Sequence, residues 1–252
     1  AHEYFTEVPE LKASPIKKRI WSAIASLGIP LSDLCLTVGP ALAQIFSNKY
    51  GQEFHSIRNL PTSPGVTRKE YRPENKILLY QGMLNEGRGL EHIIEAMEFL
   101  KDWTLWLVGR GDIEDRLKSM ARKSSAAERI LFIGFIQPDK LHKYTTQATL
   151  GLNLLVADSL SYYYSLANKT FDYMAFGIPA VHMDFPEYRA LQDEHHCFLL
   201  LESLQTRTFV ELIQDLDVAE LKSLHDNNLS ASEQFSWSKE SEKLKKLLKT
   251  LY

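Results

Sequence analysis

The sequence predicts an α/β protein built on a doubly wound parallel sheet, preceded by a second, partial α/β unit. Three observations carry this. From residue 76 onward, short apolar runs alternate with amphipathic helical stretches, the pattern of a parallel sheet covered on both faces. Glycines stand at or just past the ends of three strand candidates, at Gly82, Gly109 and Gly134, where each run hands over to a loop and a helix. A proline-punctuated stretch, Arg58 to Gly65, separates this regular part from a shorter α/β stretch before it and reads as a linker.

Taken in order, Pro15 to Leu27 reads as a helix. Pro15 suits the first turn, and Ile16, Ile20, Trp21, Ile24 and Leu27 form an apolar stripe. Leu34 to Val38 is a short strand, Ala41 to Lys49 a helix entered through Gly39-Pro40, and Phe54 to Ile57 another strand. After the linker come strand Lys76 to Tyr80, loop Gln81 to Gly89 and helix Leu90 to Phe99. Strand Trp103 to Val108 turns through Gly109-Arg110-Gly111-Asp112 into a helix ending near Lys123. Strand Ile130 to Ile133, helix Pro138 to Thr146 and strand Gly151 to Val156 follow. Strands Ala180 to Met183 and Cys197 to Leu200 close the series. Right-handed crossovers make such a series a Rossmann-like domain. The tail, Ser238 to Tyr252, is a lysine-rich helix with Leu244, Leu247, Leu248 and Leu251 on one side.

Composition narrows the function. The 252 residues are 44% hydrophobic and 24% charged with a formal net charge of −3, values ordinary for a globular protein and unlike a dedicated nucleic-acid binder. Cys35 and Cys197 sit in apolar runs and fit no metal or disulfide framework, so buried free thiols in a reducing compartment are expected. No apolar run approaches the ~20 residues of a membrane span. A cytoplasmic location is the expectation. The lysines of the tail suit either a solvated face or peripheral contact with the inner face of the cell membrane. The pair His195-His196 suggests metal only weakly: Asp193-Glu194 are read as a turn, no second ligand pair is suitably spaced, and surface polar residues are expected.

The most informative segment runs Asn168-Lys169-Thr170-Phe171-Asp172-Tyr173-Met174-Ala175-Phe176-Gly177-Ile178-Pro179-Ala180-Val181. Phe171, Met174 and Ala175 share a helical face, Gly177 supplies a left-handed cap, and Pro179 stands past the helix end. The helix starts after a polar, aromatic loop, Ser159 to Ala167, at the carboxyl edge of a strand. That is where open α/β sheets bind ligands and where unpaired N–H groups hold phosphates. Asp172 is placed on the first turn. The same pattern also suits a plain βα junction that binds nothing. In the loop Gln81 to Gly89, Gly82, Gly87 and Gly89 admit close backbone approach, and Arg88 can fork two hydrogen bonds to a phosphate or simply face solvent. The glycine spacing is not the dinucleotide fingerprint.

The Asn168–Val181 run resembles the donor-binding helix of retaining GT-B glycosyltransferases, glycosyl transferases group 1 of the family-four type. Members often carry Asn-Lys-x-Phe-Glu-Tyr-Met-Ala-x-Gly-x-Pro here, and this chain has Asp172 in place of Glu. The similarity extends along essentially the whole chain. It implies residues 1–62 as a partial N-terminal, acceptor-side Rossmann-like domain and residues 63–235 as the nucleotide-sugar donor domain. Residues 236–252 would be a helix crossing back, with Phe235-Ser236-Trp237 leading into it. The chain opens at Ala1 without a preceding strand, and the expectation is that the first part of the N-terminal domain is missing.

The resemblance also implies site residues. The family's arginine and lysine grip the donor diphosphate; Arg88 stands at the lysine position, Met83 at the arginine position, and Lys169 is the candidate replacement. Tyr164 to Asp172 matches the Glu-x7-Glu element. Asp172 would hold the ribose, and Tyr164 would replace the residue that contacts the transferred sugar. The N–H groups of Ala167, Asn168 and Lys169 would face the distal phosphate. Gly82 and Gly109 would leave room beside the nucleotide, where Arg110 would stack or pair. The backbone of Phe135 and Ile136 would meet the base edge, their side chains packing inside. His2, of the family's His-Glu/Asp pair, would contact the donor sugar. The catalytic set is then His2, Arg88 and Lys169, with no metal and no cofactor beyond the nucleotide-diphosphate sugar. The expected reaction moves a sugar with retention to a glycan or polyprenyl-linked acceptor in cell-surface polysaccharide biosynthesis. The rival is a non-catalytic nucleotide-sugar-binding or scaffolding module of the same fold. An epimerase-type enzyme would need further cleft carboxylates, which the sequence does not offer.

Overall fold

The computed structural model describes the chain apart from residues 2, 9–10, 12–13, 62–69 and 252. Helix α1 (Pro15–Gly28) precedes a two-stranded parallel sheet of β1 (Cys35–Thr37) and β2 (Phe54–Ser56), which flank α2 (Pro40–Tyr50). Gly51 ends α2 in the left-handed conformation, which costs glycine nothing. Tyr4, Leu42, Phe46 and Phe54 make its small core. The expected stripe on α1 exists but faces outward: Ile16 is 73% and Leu27 75% exposed, and only Ala25 of that helix is buried.

The main sheet has six parallel strands in the order β5-β4-β3-β6-β7-β8: β3 (Ile77–Gln81), β4 (Thr104–Val108), β5 (Ile130–Gly134), β6 (Leu150–Asn153), β7 (Ala180–Met183) and β8 (Phe198–Leu201). The chain moves outward from β3 to β5, then returns to pair β6 with the other side of β3. A crevice opens at such a reversal, at the carboxyl ends of the strands. Covering helices are α3 (Leu90–Ala96), α4 (Glu114–Lys123), α5 (Pro138–Thr145), α6 (Leu160–Tyr163), α7 (Asn168–Ala175), α8 (Pro186–His195), α9 (Thr206–Asp215) and α10 (Val218–Ser232). Both faces of the sheet are therefore buried, and Leu78, Leu79, Leu105, Leu107, Leu150 and Leu152 are fully enclosed.

Several elements differ from the sequence expectation. The strand expected over Gly151 to Val156 stops at Asn153; Leu154 and Leu155 remain buried as core filler beneath the glycine loop, where Val156 N–H donates to Gly87 O. Ser159 to Ala167 is not all loop: Ser159 Oγ accepts the Tyr162 N–H and starts the single turn α6. Asp193 and Glu194 lie in the last turn of α8 rather than in a turn between elements. His195, expected on the surface, puts its imidazole edge-on against Phe235 with the side chain 7% exposed. Both cysteines are buried and free.

The last helix, α11 (Trp237–Leu248), returns to the N-terminal unit. Glu240 Oε1 accepts the Arg58 N–H at 2.8 Å, and the Arg58 guanidinium lies 5.3 Å from the Phe235 ring. No helix of the described residues is long and apolar enough to cross a membrane.

Candidate functional site

The loop after β3, the loop after β6 and the start of α7 meet at the crevice between β3 and β6. The glycines hold this meeting together. Gly109, with φ +146°, has no room for a side chain, because a Cβ would fall 1.8 Å from Gly82 O. Gly87 is equally confined by the Tyr162 ring, 2.5 Å from where a Cβ would stand. Gly82 and Gly109 thus let two loops touch.

Two cations occupy the crevice. Lys169 Nζ lies 3.7 Å from the centre of the Tyr80 ring, and Arg88 stacks 4.9 Å over the Tyr162 ring. Each ring is anchored to the glycine loop, Tyr80 Oη donating to Met83 O at 2.6 Å and Tyr162 Oη to Glu86 O at 3.2 Å. Arg88 Nε is buried and makes no hydrogen bond. Among the described residues neither cation has a carboxylate within salt-bridge range. Burial, and then the Arg88 charge, push the Lys169 ammonium well below its usual range, with Asp172 opposing. Two half-buried cations on aromatic faces, with no salt bridge among the described residues and only the Asp172 charge to offset them, have the chemistry to attract an anion.

Asp172 does not stand in the first turn of α7; it is one turn in, and no acidic residue occupies that first turn. Its position follows a polar chain instead. Gln81 Nε2 donates to Asp172 Oδ2 at 3.2 Å, and Thr145 Oγ1 donates to Gln81 Oε1 at 2.8 Å. Burial raises the Asp172 pKa to about 6, against the Gln81 hydrogen bond and the Lys169 charge. Of the three N–H groups at the start of α7, that of Ala167 donates to Tyr188 Oη at 3.1 Å. Those of Asn168 and Lys169 lie in the first turn, where a helix supplies no acceptor. The far end closes as the sequence implies, with Gly177 left-handed, its N–H on Met174 O and the Ile178 N–H on Tyr173 O.

The other expected residues fall around this centre. Arg110 is exposed, its carbonyl accepting the Leu84 N–H. Ile136 packs on the domain interior, but Phe135 does not: its ring is 62% exposed beyond β5, since the left-handed Gly134 turns the chain outward. Tyr164 packs against the N-terminal core of Tyr4, Leu42 and Phe46, so it belongs to the contact between the two units. His2 lies outside the described residues. Gln81 and the platforms Tyr80 and Tyr162 are not among the site residues expected from sequence. The rule that ligands bind at strand carboxyl ends points to Tyr80 and Gln81; nothing local marks Tyr162. Among the described residues no cluster of His, Cys, Asp and Glu could hold a metal ion.

Known proteins match this architecture. A family model described as glycosyl transferases group 1 matches residues 75–216, more than half of the chain. An uncharacterized glycosyltransferase of Methanocaldococcus jannaschii is 27% identical over 111 residues, 43% of this chain and 27% of its own length. Anabaena HepE, solved with UDP and glucose, superposes with a TM-score of 0.74 at 15% identity, covering 86% of this chain and 63% of its own. Sucrose-phosphate synthase of Thermosynechococcus elongatus superposes with a TM-score of 0.72 at 18% identity, covering 86% and 58%. The chain thus spans less than two thirds of each. The parallel α/β fold is that of GT-B glycosyltransferases. With its six-stranded sheet, glycine loop and capped helix all inside the matched region, this chain belongs to the glycosyl transferases group 1 family.

Proposed function

We propose that this chain is the donor-binding part, with a portion of the acceptor side, of a retaining glycosyltransferase that uses a nucleotide-diphosphate sugar. The observation that carries the reading is the pair Arg88 and Lys169, two cations on aromatic platforms that form no salt bridge among the described residues, with only the Asp172 charge acting on Lys169. Both would grip the diphosphate, with the N–H groups of Asn168 and Lys169 on the distal phosphate. Lys169 would stand in for the cation that Met83 lacks. Asp172, held by Gln81, would accept the ribose hydroxyls. The backbone of Phe135 and Ile136 would meet the base edge, and Arg110 would border it.

Chemistry in such a site is positioning plus charge stabilisation. As the bond from sugar to diphosphate breaks, negative charge gathers on the leaving group and the sugar becomes oxocarbenium-like. Fixed cations at the diphosphate are worth most at that moment. The nucleotide sugar is a substrate, and this reading assigns no further cofactor. Residues 1–62 would present the acceptor side with His2 near the donor sugar, residues 63–235 would bind the donor, and residues 236–252 would tie the two. A glycan or polyprenyl-linked acceptor, and a place in cell-surface polysaccharide assembly at the inner face of the membrane, complete the proposal. A second reading, a non-catalytic donor-binding module, is favoured by one observation: Tyr164 faces the N-terminal core.

A thermal-shift series with UDP, GDP, ADP and CMP tests the proposal, because a ligand stabilises by RT ln(1 + [L]/Kd). Stabilisation by one or more diphosphates, and none by CMP, is expected. Indifference to all four would remove the donor site.

A further inference from the structure

One helical turn, the start of α8, touches both the donor crevice and the N-terminal unit through consecutive residues. Glu187 is 4% exposed, and its Oε1 accepts the Ala41 N–H at 2.8 Å in the first turn of α2. The unpaired N–H groups there suit a carboxylate. Gly39 provides the space. Its φ of −131° is open to any residue, but a Cβ would stand 2.3 Å from Glu187 Oε1. Burial pushes the Glu187 carboxyl up, while the Ala41 and Leu42 N–H groups and the Arg58 charge hold it down.

Tyr188 works on the other side of the same turn. Its hydroxyl accepts the Ala167 N–H at 3.1 Å and the Asn153 Nδ2–H at 2.9 Å, and its ring stacks 4.4 Å from His182. Ala167 caps α7, whose first turn holds Asn168 and Lys169. Tyr188 is fully buried, so the hydroxyl has no competing water and its bonds are fixed. A shift of α2 against Glu187 therefore moves a rigid turn that also sets the mouth of the donor helix.

We propose that the Glu187-Tyr188 turn couples the docking of the N-terminal unit to the geometry of the donor helix, with both side chains as positioning residues. The coupling depends on the donor-site reading only for the identity of the ligand, and it is tested first without one. Residue-resolved hydrogen exchange is measured on the full chain. Glu187→Ala should speed exchange of the Ala41 and Leu42 amides at least tenfold and that of Ala167 at least threefold. Glu187→Gln, which keeps an acceptor oxygen, should hold both within about twofold. Gly39→Ala, which displaces the carboxylate without altering α8, should reproduce Glu187→Ala. Tyr188→Phe should speed Ala167 and, at a distance, Ala41. Changes confined to the mutated side's own contact, with the remote amide inside twofold, would overturn the coupling. UDP is then added. Slowed exchange at Ala41 in the wild type, lost in Glu187→Ala, extends the coupling to the ligand; binding without any change there overturns that step and spares the nucleotide reading. If no nucleoside diphosphate binds, the donor-site reading falls, and the ligand-free variants alone decide the coupling.

Discussion

Lys169 Nζ stands 3.7 Å from the centre of the Tyr80 ring and beside Gly82, the residue just before Met83, where an added Cβ would lie 3.3 Å from the ammonium. A lysine on α7 thus delivers its ammonium to the loop beside Met83, and the proposed replacement of one cation by the other can be tested in both directions. Lys169→Met should weaken UDP binding by about 1.5–3 kcal/mol, the scale of a charged hydrogen bond. Adding Met83→Arg to that variant should recover at least half of the loss. Isothermal titration measures both, and a double variant no better than the single would show that the two positions do not share a ligand.

Arg88 has a different support, the Tyr162 ring, and its Nε is buried without a hydrogen bond. Arg88→Ala should cost about 1.5–3 kcal/mol in binding a nucleoside diphosphate and almost nothing in binding the bare nucleoside. Equal losses for both ligands would make the arginine a structural part of the loop.

The glycines separate conformational need from space. Gly134 has φ +81° and nothing within 4 Å of where a Cβ would stand, so Gly134→Ala costs backbone strain alone, about 1–2 kcal/mol. Gly109 has φ +146° and a Cβ would fall 1.8 Å from Gly82 O, so Gly109→Ala adds overpacking to strain and should lose about 3 kcal/mol or more. Urea unfolding of the two variants gives the comparison, and similar midpoints would mean the Gly82 loop yields freely.

Much of this is legible in the sequence because the main sheet is buried on both faces. Runs such as Leu78-Leu79-Tyr80 and Leu105-Trp106-Leu107 read as buried parallel strands because they are short, apolar and followed by glycine turns. The C-terminal helices α8, α9 and α10 are absent from the expected elements. Pro186 at the first position of α8 is a readable start signal, but α10 is only weakly amphipathic, with Asn228 buried on its inner face. Arg88 and Asp172 stand out by residue type and position and Lys169 through the family resemblance, and the structure brings the three to one crevice. Tyr162 and Glu187 are not, because their roles depend on contacts across 74 residues to Arg88 and across 146 to Ala41. Asp172 is misplaced by one turn in the sequence reading: α7 begins at Asn168 as expected, which already puts the carboxylate past the first turn, and it is aimed by Gln81 on β3.

Burial, working against that hydrogen bond, makes Asp172 titrate in a useful range. Its folded-state pKa, about 6, lies above the ordinary 3.8, so between those values the folded chain holds a proton that the unfolded chain releases. The stability it contributes is therefore complete below pH 3.8 and lost as pH rises through about 6. If Asp172 holds the ribose as proposed, ligand binding runs the other way. Ribose hydroxyls donate to a carboxylate, so only the ionised form accepts both. Affinity for a nucleotide sugar, whose diphosphate is a diester with no proton titrating nearby, should fall up to about tenfold per unit as pH drops below about 6. Asp172→Asn should bind more weakly at pH 7.5 and show no acid limb. Titrations from pH 5 to 7.5 on both proteins decide the matter, since an acid limb that persists in the variant would belong to another group.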